Sequence, residues 1–234
     1  MEETYPMRIN KYLAHKKHCT RREADELIAA GKVLVNGRRA QVGEVVDESD
    51  TVEVRFRPRT YRYFAYNKPR GIVTHSPQEG EKEIADVAGI PGVYPVGRLD
   101  KDSSGLIILT DDGRIVERLL SPDSGHEKEY VVAVKEPLAA NFKQRMERGV
   151  EIEGYRTKEN RVRLIGPKTF AITITEGKRH QIRRMCAALG YAVEKLERVR
   201  IMNIRLSPLK SGEHRAIEGE ELATFLAELG LASS

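Results

Sequence analysis

After residue 60 the chain passes through seven short strand-like runs interleaved with four helical patterns, and this rhythm restricts the fold more than any other feature. The strand-like runs are YFAYN (63–67), YPVGRL (94–99), GLIILT (105–110), KEYVVAV (128–134), RVRLIG (161–166), FAITIT (170–175) and KLERVRIMNIRL (195–206). Helical spacing recurs at RIVERLLS (114–121), AANFKQRMERG (139–149), HQIRRMCAALG (180–190) and EELATFLAELG (220–230). Together they predict an α+β domain with a mostly antiparallel sheet. The 234 residues suffice for such a domain and a small satellite, each with its own core. RPRTYRYF (57–64) mixes charge, proline and aromatics and reads as a linker running into a strand, so domains are expected at 7–58 and 59–234.

The satellite is basic. Residues 8–40 hold nine Lys/Arg against three acids, a steeper bias than the chain-wide 40 against 35 that gives a net charge of +5. Ile9, Tyr12 and Leu13 recur at helical spacing. Thr20-Arg-Arg-Glu23 is a capping box that opens a second helix with Ala24, Leu27 and Ile28 inward and a stop at Gly31. VLVNG then alternates and turns at Asn36-Gly37, and TVEVRF supplies a later strand. Arg21 and Arg22 sit in the first turn of the second helix, where a cation opposes the macrodipole and costs a few tenths of a kcal/mol. A nucleic-acid phosphate offsets that cost, because the helix N-terminus attracts anions as well. A solvated basic face is the plain alternative. This order of elements resembles the RNA-binding module named after the fourth protein of the small ribosomal subunit, which implies binding to structured RNA through Arg8, Lys11, Arg21, Arg22, Arg38 and Arg39.

Cys19 and Cys186 lie far apart without a paired-cysteine spacing, so both are expected as reduced thiols in a reducing compartment. No apolar run approaches the roughly 20 residues of a membrane span, and a soluble, cytoplasmic protein is expected.

GRLDKDSSGLIILTDDG (97–113) carries two incompatible readings. Asp100, Asp102, Ser104, Gly105 and Asp111 fit positions of a calcium loop. The context opposes it: GIPGVYPVG before Asp100 is strand-like rather than helical, LIILT reads as a buried strand, and position twelve is Asp instead of the bidentate Glu. No metal is expected. The second reading puts Asp100 at the end of a strand, with Gly105 permitting a tight turn, so that a carboxylate projects from a rigid edge. A third basic block, residues 176–206, has eight Lys/Arg against three acids, and its helix turns Ile182, Met185, Cys186 and Leu189 to one apolar face, leaving Arg183 or Arg184 free to point at a partner.

GRLDKDS, HEKEY (126–130), NKPRGIVT (67–74) and the run RRMC, GY, KLER, RIMN together resemble the RsuA-type RNA pseudouridine synthases over nearly the whole chain. The resemblance implies cofactor-free conversion of a uridine to pseudouridine in a structured ribosomal RNA stem-loop, with the strongest similarity to members acting on the large subunit, and a monomeric enzyme. The alternatives are the same chemistry on small-subunit ribosomal RNA or a transfer-RNA stem-loop, and a non-catalytic ribosome-assembly factor. The chemistry needs an ionised carboxylate beside the sugar, acting as nucleophile or as base. The resemblance assigns this to Asp100, with Arg183 as the cation that keeps it charged. It lays Tyr130 against the uracil face and Leu196 on the apolar side. Arg98 fills the position vacated by the flipped base, and Lys101 and Asp102 shape the turn and contact backbone. Arg179, His180 and Arg184 are read as further RNA contacts. Arg179-His180 departs from relatives, which commonly read Asn-Arg there, and this leaves the role of His180 open.

Overall fold

The computed structural model describes residues 5–16, 19–55, 60–121, 123–206 and 208–231. The expected boundary between residues 58 and 59 lies outside them. One compact unit runs to Tyr61 and takes in Asp112–Ile115; the other comprises Arg62–Asp111 and continues from Val116.

The first unit contains β1 (Met7–Arg8), α1 (Ile9–His15), α2 (Arg21–Ala29), β2 (Val33–Val35), β3 (Arg38–Arg39), β4 (Val45–Val46) and β5 (Val52–Val54). The capping box forms: Thr20 Oγ1 accepts from the Glu23 N–H at 3.2 Å, and the Glu23 carboxylate accepts from the Thr20 N–H at 2.8 Å. Asn36 and Gly37 take positive φ values of 50° and 79°, the conformation a two-residue hairpin needs, and join β2 to β3. Ile9, Leu13, Ala24, Ile28, Val33, Val35 and Val46 close a small core.

The second unit contains β6 (Tyr63–Lys68), α3 (Ile84–Val87), β7 (Tyr94–Val96), β8 (Ser104–Thr110), α4 (Arg114–Leu120) from Val116 onward, β9 (Lys128–Val134), α5 (Phe142–Glu147), β10 (Glu151–Ile152), β11 (Tyr155–Arg156), β12 (Arg161–Gly166), β13 (Thr169–Ile174), α6 (Gln181–Ala188), β14 (Val193–Ile201), β15 (Ile204–Arg205), β16 (His214–Ala216) and α7 (Gly219–Glu228). Its nine-stranded sheet runs β12-β13-β9-β14-β8-β6-β16, with β7 on β8 and β15 on β14. Of its ladders only β14–β8 is parallel, so the fold is the expected α+β domain with a mostly antiparallel, mixed sheet. The run 195–206, expected as one strand, is a hairpin in which Met202 turns at a φ of 50° and Ile201 pairs with Ile204. Ile182, Met185 and Cys186 of α6 are buried against Val132, Phe170 and Ile172, with Leu189 packed beside them.

Gly105 is the pivot of the sheet, and for a different reason from the expected tight turn. It lies inside β8, opposite Arg198 of β14, and a Cβ there would stand 2.3 Å from the Arg198 carbonyl oxygen. Glycine is required because two backbones meet. The same strand separates Asp100 from Asp111, whose carboxylate accepts from the Arg62 N–H at 2.8 Å. Seven extended residues span about 20 Å, so the twelve-residue segment does not curl around an ion. Among the described residues no helix is long and apolar enough to cross a membrane.

Candidate active site

The connection from β7 to β8, the facing strands β9 and β14, and the β13–α6 connection enclose a cleft of ≈ 970 Å³ in the second unit. Asp100 reaches this cleft from a backbone that is held at both ends. The buried Thr74 hydroxyl accepts from the Leu99 N–H at 3.0 Å and donates to the Leu99 carbonyl at 2.8 Å. Beyond it, the Ser103 N–H donates to the Asp100 carbonyl at 3.0 Å and the Gly71 N–H to the Lys101 carbonyl at 2.8 Å. With Leu99 in the core, the next side chain must turn outward.

Lys68 underlies this loop. It is fully buried, and its Nζ donates to the carbonyls of Pro69 at 2.9 Å and Ile72 at 2.6 Å. Burial pushes its ammonium down to about 8, against the opposing pull of Asp100 and Asp102.

Among the described residues, the side chain whose nitrogen lies against the Asp100 carboxylate is that of His180, not Arg183. His180 Nδ1 stands 3.2 Å from Asp100 Oδ2, with the two side chains 42 % and 33 % exposed. His180 caps α6 in the left-handed region, at φ 52° and ψ 25°, which turns its ring toward the carboxylate. Arg183, one turn further on, spans to the loop instead: Nη2 donates to the Asp102 carbonyl at 3.1 Å and to Ser103 Oγ at 3.4 Å. The longer side chain thus grips the backbone just after Asp100 rather than the Asp100 carboxylate itself.

The start of α6 is set by a carboxylate that sequence reading overlooked. Buried Glu176 accepts from Gln181 Nε2 at 2.6 Å, from the Lys158 N–H at 3.0 Å and from the Tyr155 hydroxyl at 2.5 Å. Its partners lie as many as 21 residues away, so no local pattern marks it.

Tyr130 and Leu196 are buried on adjacent strands and both line the cleft. Arg98 and Arg179 are exposed on its wall. Lys101 lines it too, but its Nζ donates to Glu81 at 2.8 Å on the surface. Arg184 does not line the cleft; it pairs with Glu153 and donates to the Arg179 carbonyl at 3.4 Å. In the first unit Arg8, Lys11, Arg21, Arg22, Arg38 and Arg39 are all exposed, and Arg38 also pairs with Glu44 at 2.5 Å.

Comparison with known proteins adds independent observations. Residues 62–188 match the family described as RNA pseudouridylate synthase, and residues 7–52 match the S4 domain. The dual-specificity RNA pseudouridine synthase RluF of Escherichia coli (strain K12) is 44 % identical over 97 % of this chain and 81 % of its own length. The ribosomal large subunit pseudouridine synthase B of Bacillus subtilis (strain 168) is 35 % identical over 94 % of this chain and 96 % of its own. A crystal structure of a pseudouridylate synthase superposes with a TM-score of 0.69 at 29 % identity, covering 95 % of this chain and 99 % of the other.

Proposed function

Because the chain belongs to the RsuA-type RNA pseudouridine synthases, enzymes that isomerise uridine in RNA, we propose that Asp100 carries the reaction, on a structured stem-loop of large-subunit ribosomal RNA. The observation that supports this assignment is the presentation of the Asp100 carboxylate: one third exposed, in the cleft shared with Tyr130 and Leu196, on a backbone pinned by Thr74. A carboxylate so held acts at the anomeric carbon or removes a neighbouring sugar proton without reorganising. The cleavage is redox-neutral and calls for no cofactor.

A uridine inside a stem has to leave the stack to reach this cleft, and exposed Arg98, two residues before Asp100, takes the vacated place. Tyr130 lies against the base and Leu196 covers its apolar side. The names of the two relatives with assigned substrates, dual-specificity RNA and the large ribosomal subunit, support the choice of RNA. Small-subunit ribosomal RNA and transfer RNA are the competing substrates. The exposed arginines and Lys11 of the first unit supply sequence-independent phosphate contacts. The enzyme works as a cytoplasmic monomer.

The test is Asp100→Asn, which removes the charge and the nucleophilic oxygen while keeping size. Tritium release from carbon-five-labelled ribosomal RNA is expected to vanish, with RNA affinity by filter binding close to wild type. Wild-type turnover in this variant overturns the assignment; pseudouridine appearing in small-subunit but not large-subunit RNA overturns the substrate.

A further inference from the structure

The floor of the cleft holds two cations that lack a counter-ion among the described residues. Arg198 is 4 % exposed; its Nε donates to the Leu106 carbonyl at 2.7 Å and its Nη1 to the Arg98 carbonyl at 3.4 Å. Its Nη2 is buried with no hydrogen-bond partner among the described residues. Lys128 shares the cleft and donates to the His126 carbonyl at 3.3 Å. Burial and the charge of Arg198 push its ammonium down to about 8. An orphaned donor on a buried cation is among the costliest arrangements in a protein interior, and one that lines an open cleft is placed for an acceptor that enters it.

The strand register says what enters. Leu196 and Arg198 lie two residues apart on β14 and so share a face, and they stand opposite Val132 and Tyr130 of β9. Lys128 is two residues from Tyr130 on that strand, opposite Ile201. The Arg198 guanidinium carbon is 6.0 Å from the centroid of the Tyr130 ring. A base lying against that ring brings its carbonyl oxygens within reach of the unfilled N–H group. Backbone phosphates of the same RNA meet the exposed Arg179 at the wall first.

Isomerisation makes such a base negative. The C1′–N1 bond breaks and its electron pair leaves with the uracil, which spreads the charge over N1, O2 and O4. C5 then bonds to C1′, the C5 proton departs and N1 ends protonated, so atoms and electrons balance without a redox partner. The anion forms whether Asp100 bonds to C1′ and is later released, or takes a sugar proton and returns it. We propose that Arg198, with Lys128 beside it, is the anion hole of this enzyme: it binds the carbonyl oxygens of the detached uracil and stabilises the charge carried between cleavage and re-attachment. The inference rests on the reading that this cleft isomerises uridine. Donors fixed before the charge appears are the ones that speed its formation.

The experiment compares wild type, Arg198→Met and Lys128→Met on full-length large-subunit ribosomal RNA transcribed with uridine or with 5-fluorouridine, whose base leaves as a more stable anion. Single-turnover formation of the carbon-linked nucleoside is followed by mass spectrometry of digests, with RNA affinity by filter binding at several salt concentrations. Arg198→Met is expected to slow the uridine reaction on the order of 100-fold, as for loss of one oxyanion donor, with affinity near wild type and with the loss at least about tenfold smaller on 5-fluorouridine RNA. Lys128→Met is expected to show the same pattern with a smaller loss, and it carries the comparison if Arg198→Met does not fold. Equal losses on the two RNAs overturn the proposal. So does a loss of affinity and salt slope with turnover of bound RNA intact, which marks a phosphate clamp. A wild-type enzyme inactive on uridine RNA removes the parent reading instead.

Discussion

Replacing Gly105 with alanine tests the claim that this position is glycine because two strands meet there. The new Cβ would lie 2.3 Å from the carbonyl oxygen of Arg198 and 2.7 Å from its nitrogen, at a φ of +104°. Both contacts fall short of van der Waals separation by about 1 Å, and both partners are backbone in the middle of a ladder, so no side chain can swing aside. Forced overpacking costs about 1–3 kcal/mol and the strained φ about 1–3 kcal/mol more. For a chain of this size each kcal/mol moves Tm by about 2–4 °C, which gives a drop of roughly 4–24 °C. Gly125→Ala is the control, since Gly125 also has a positive φ, of +67°, but open space around it; it pays strain alone. Thermal unfolding by circular dichroism reads both variants. If they melt within about 2 °C of each other, the close approach of β8 and β14 has no energetic weight and the argument fails. Pseudouridine formation by Gly105→Ala is expected to fall as well, because β8 continues directly from the loop that carries Asp100.

Three further outcomes follow from the geometry. Thr74→Val strips the Leu99 N–H of its acceptor in a buried place and is expected to cost about 1–3 kcal/mol and to lower kcat while leaving RNA affinity near wild type; an unchanged kcat at lowered Tm would show that the tether stabilises without positioning Asp100. Lys68 is held near 8 when folded against 10.5 in the open chain, so the unfolded state binds more protons between those values and this group's penalty, about 3 kcal/mol, shrinks as pH rises through that window. Wild type should therefore gain stability relative to Lys68→Met between pH 8 and about 10, and parallel urea-denaturation curves across that range would refute it. Arg21→Gln with Arg22→Gln should reduce the slope of log affinity against log salt by about 0.7–0.9 per lost phosphate contact, read by filter binding on ribosomal RNA; an unchanged slope assigns both arginines to solvent.

The features legible in the sequence are those whose interactions close within a few residues. Thr20 and Glu23 sit three apart and cap their helix whatever surrounds them, and Asn36-Gly37 turns because its own φ values demand it. Period and composition likewise placed the strands and the apolar face of α6. Asp100, Tyr130 and Leu196 stood out only as a family pattern, since an aspartate before a glycine or a tyrosine in a strand has many ordinary uses. Tertiary structure decided the rest. Thr74 reaches Leu99 across 25 residues and Arg198 reaches the Leu106 carbonyl across 92, so neither carries a local mark. One arginine in a basic run became a buried cation because strand register turned it inward beside Tyr130, while Arg184, on α6 in the same block, pairs with Glu153. His180 rather than Arg183 met the Asp100 carboxylate because a left-handed cap, braced by Glu176 from outside the helix, aimed the shorter side chain. Helices and turns answer to neighbours in sequence, whereas the charge state and aim of a side chain answer to burial and to whichever strand lies alongside, and those are set only when distant segments pack.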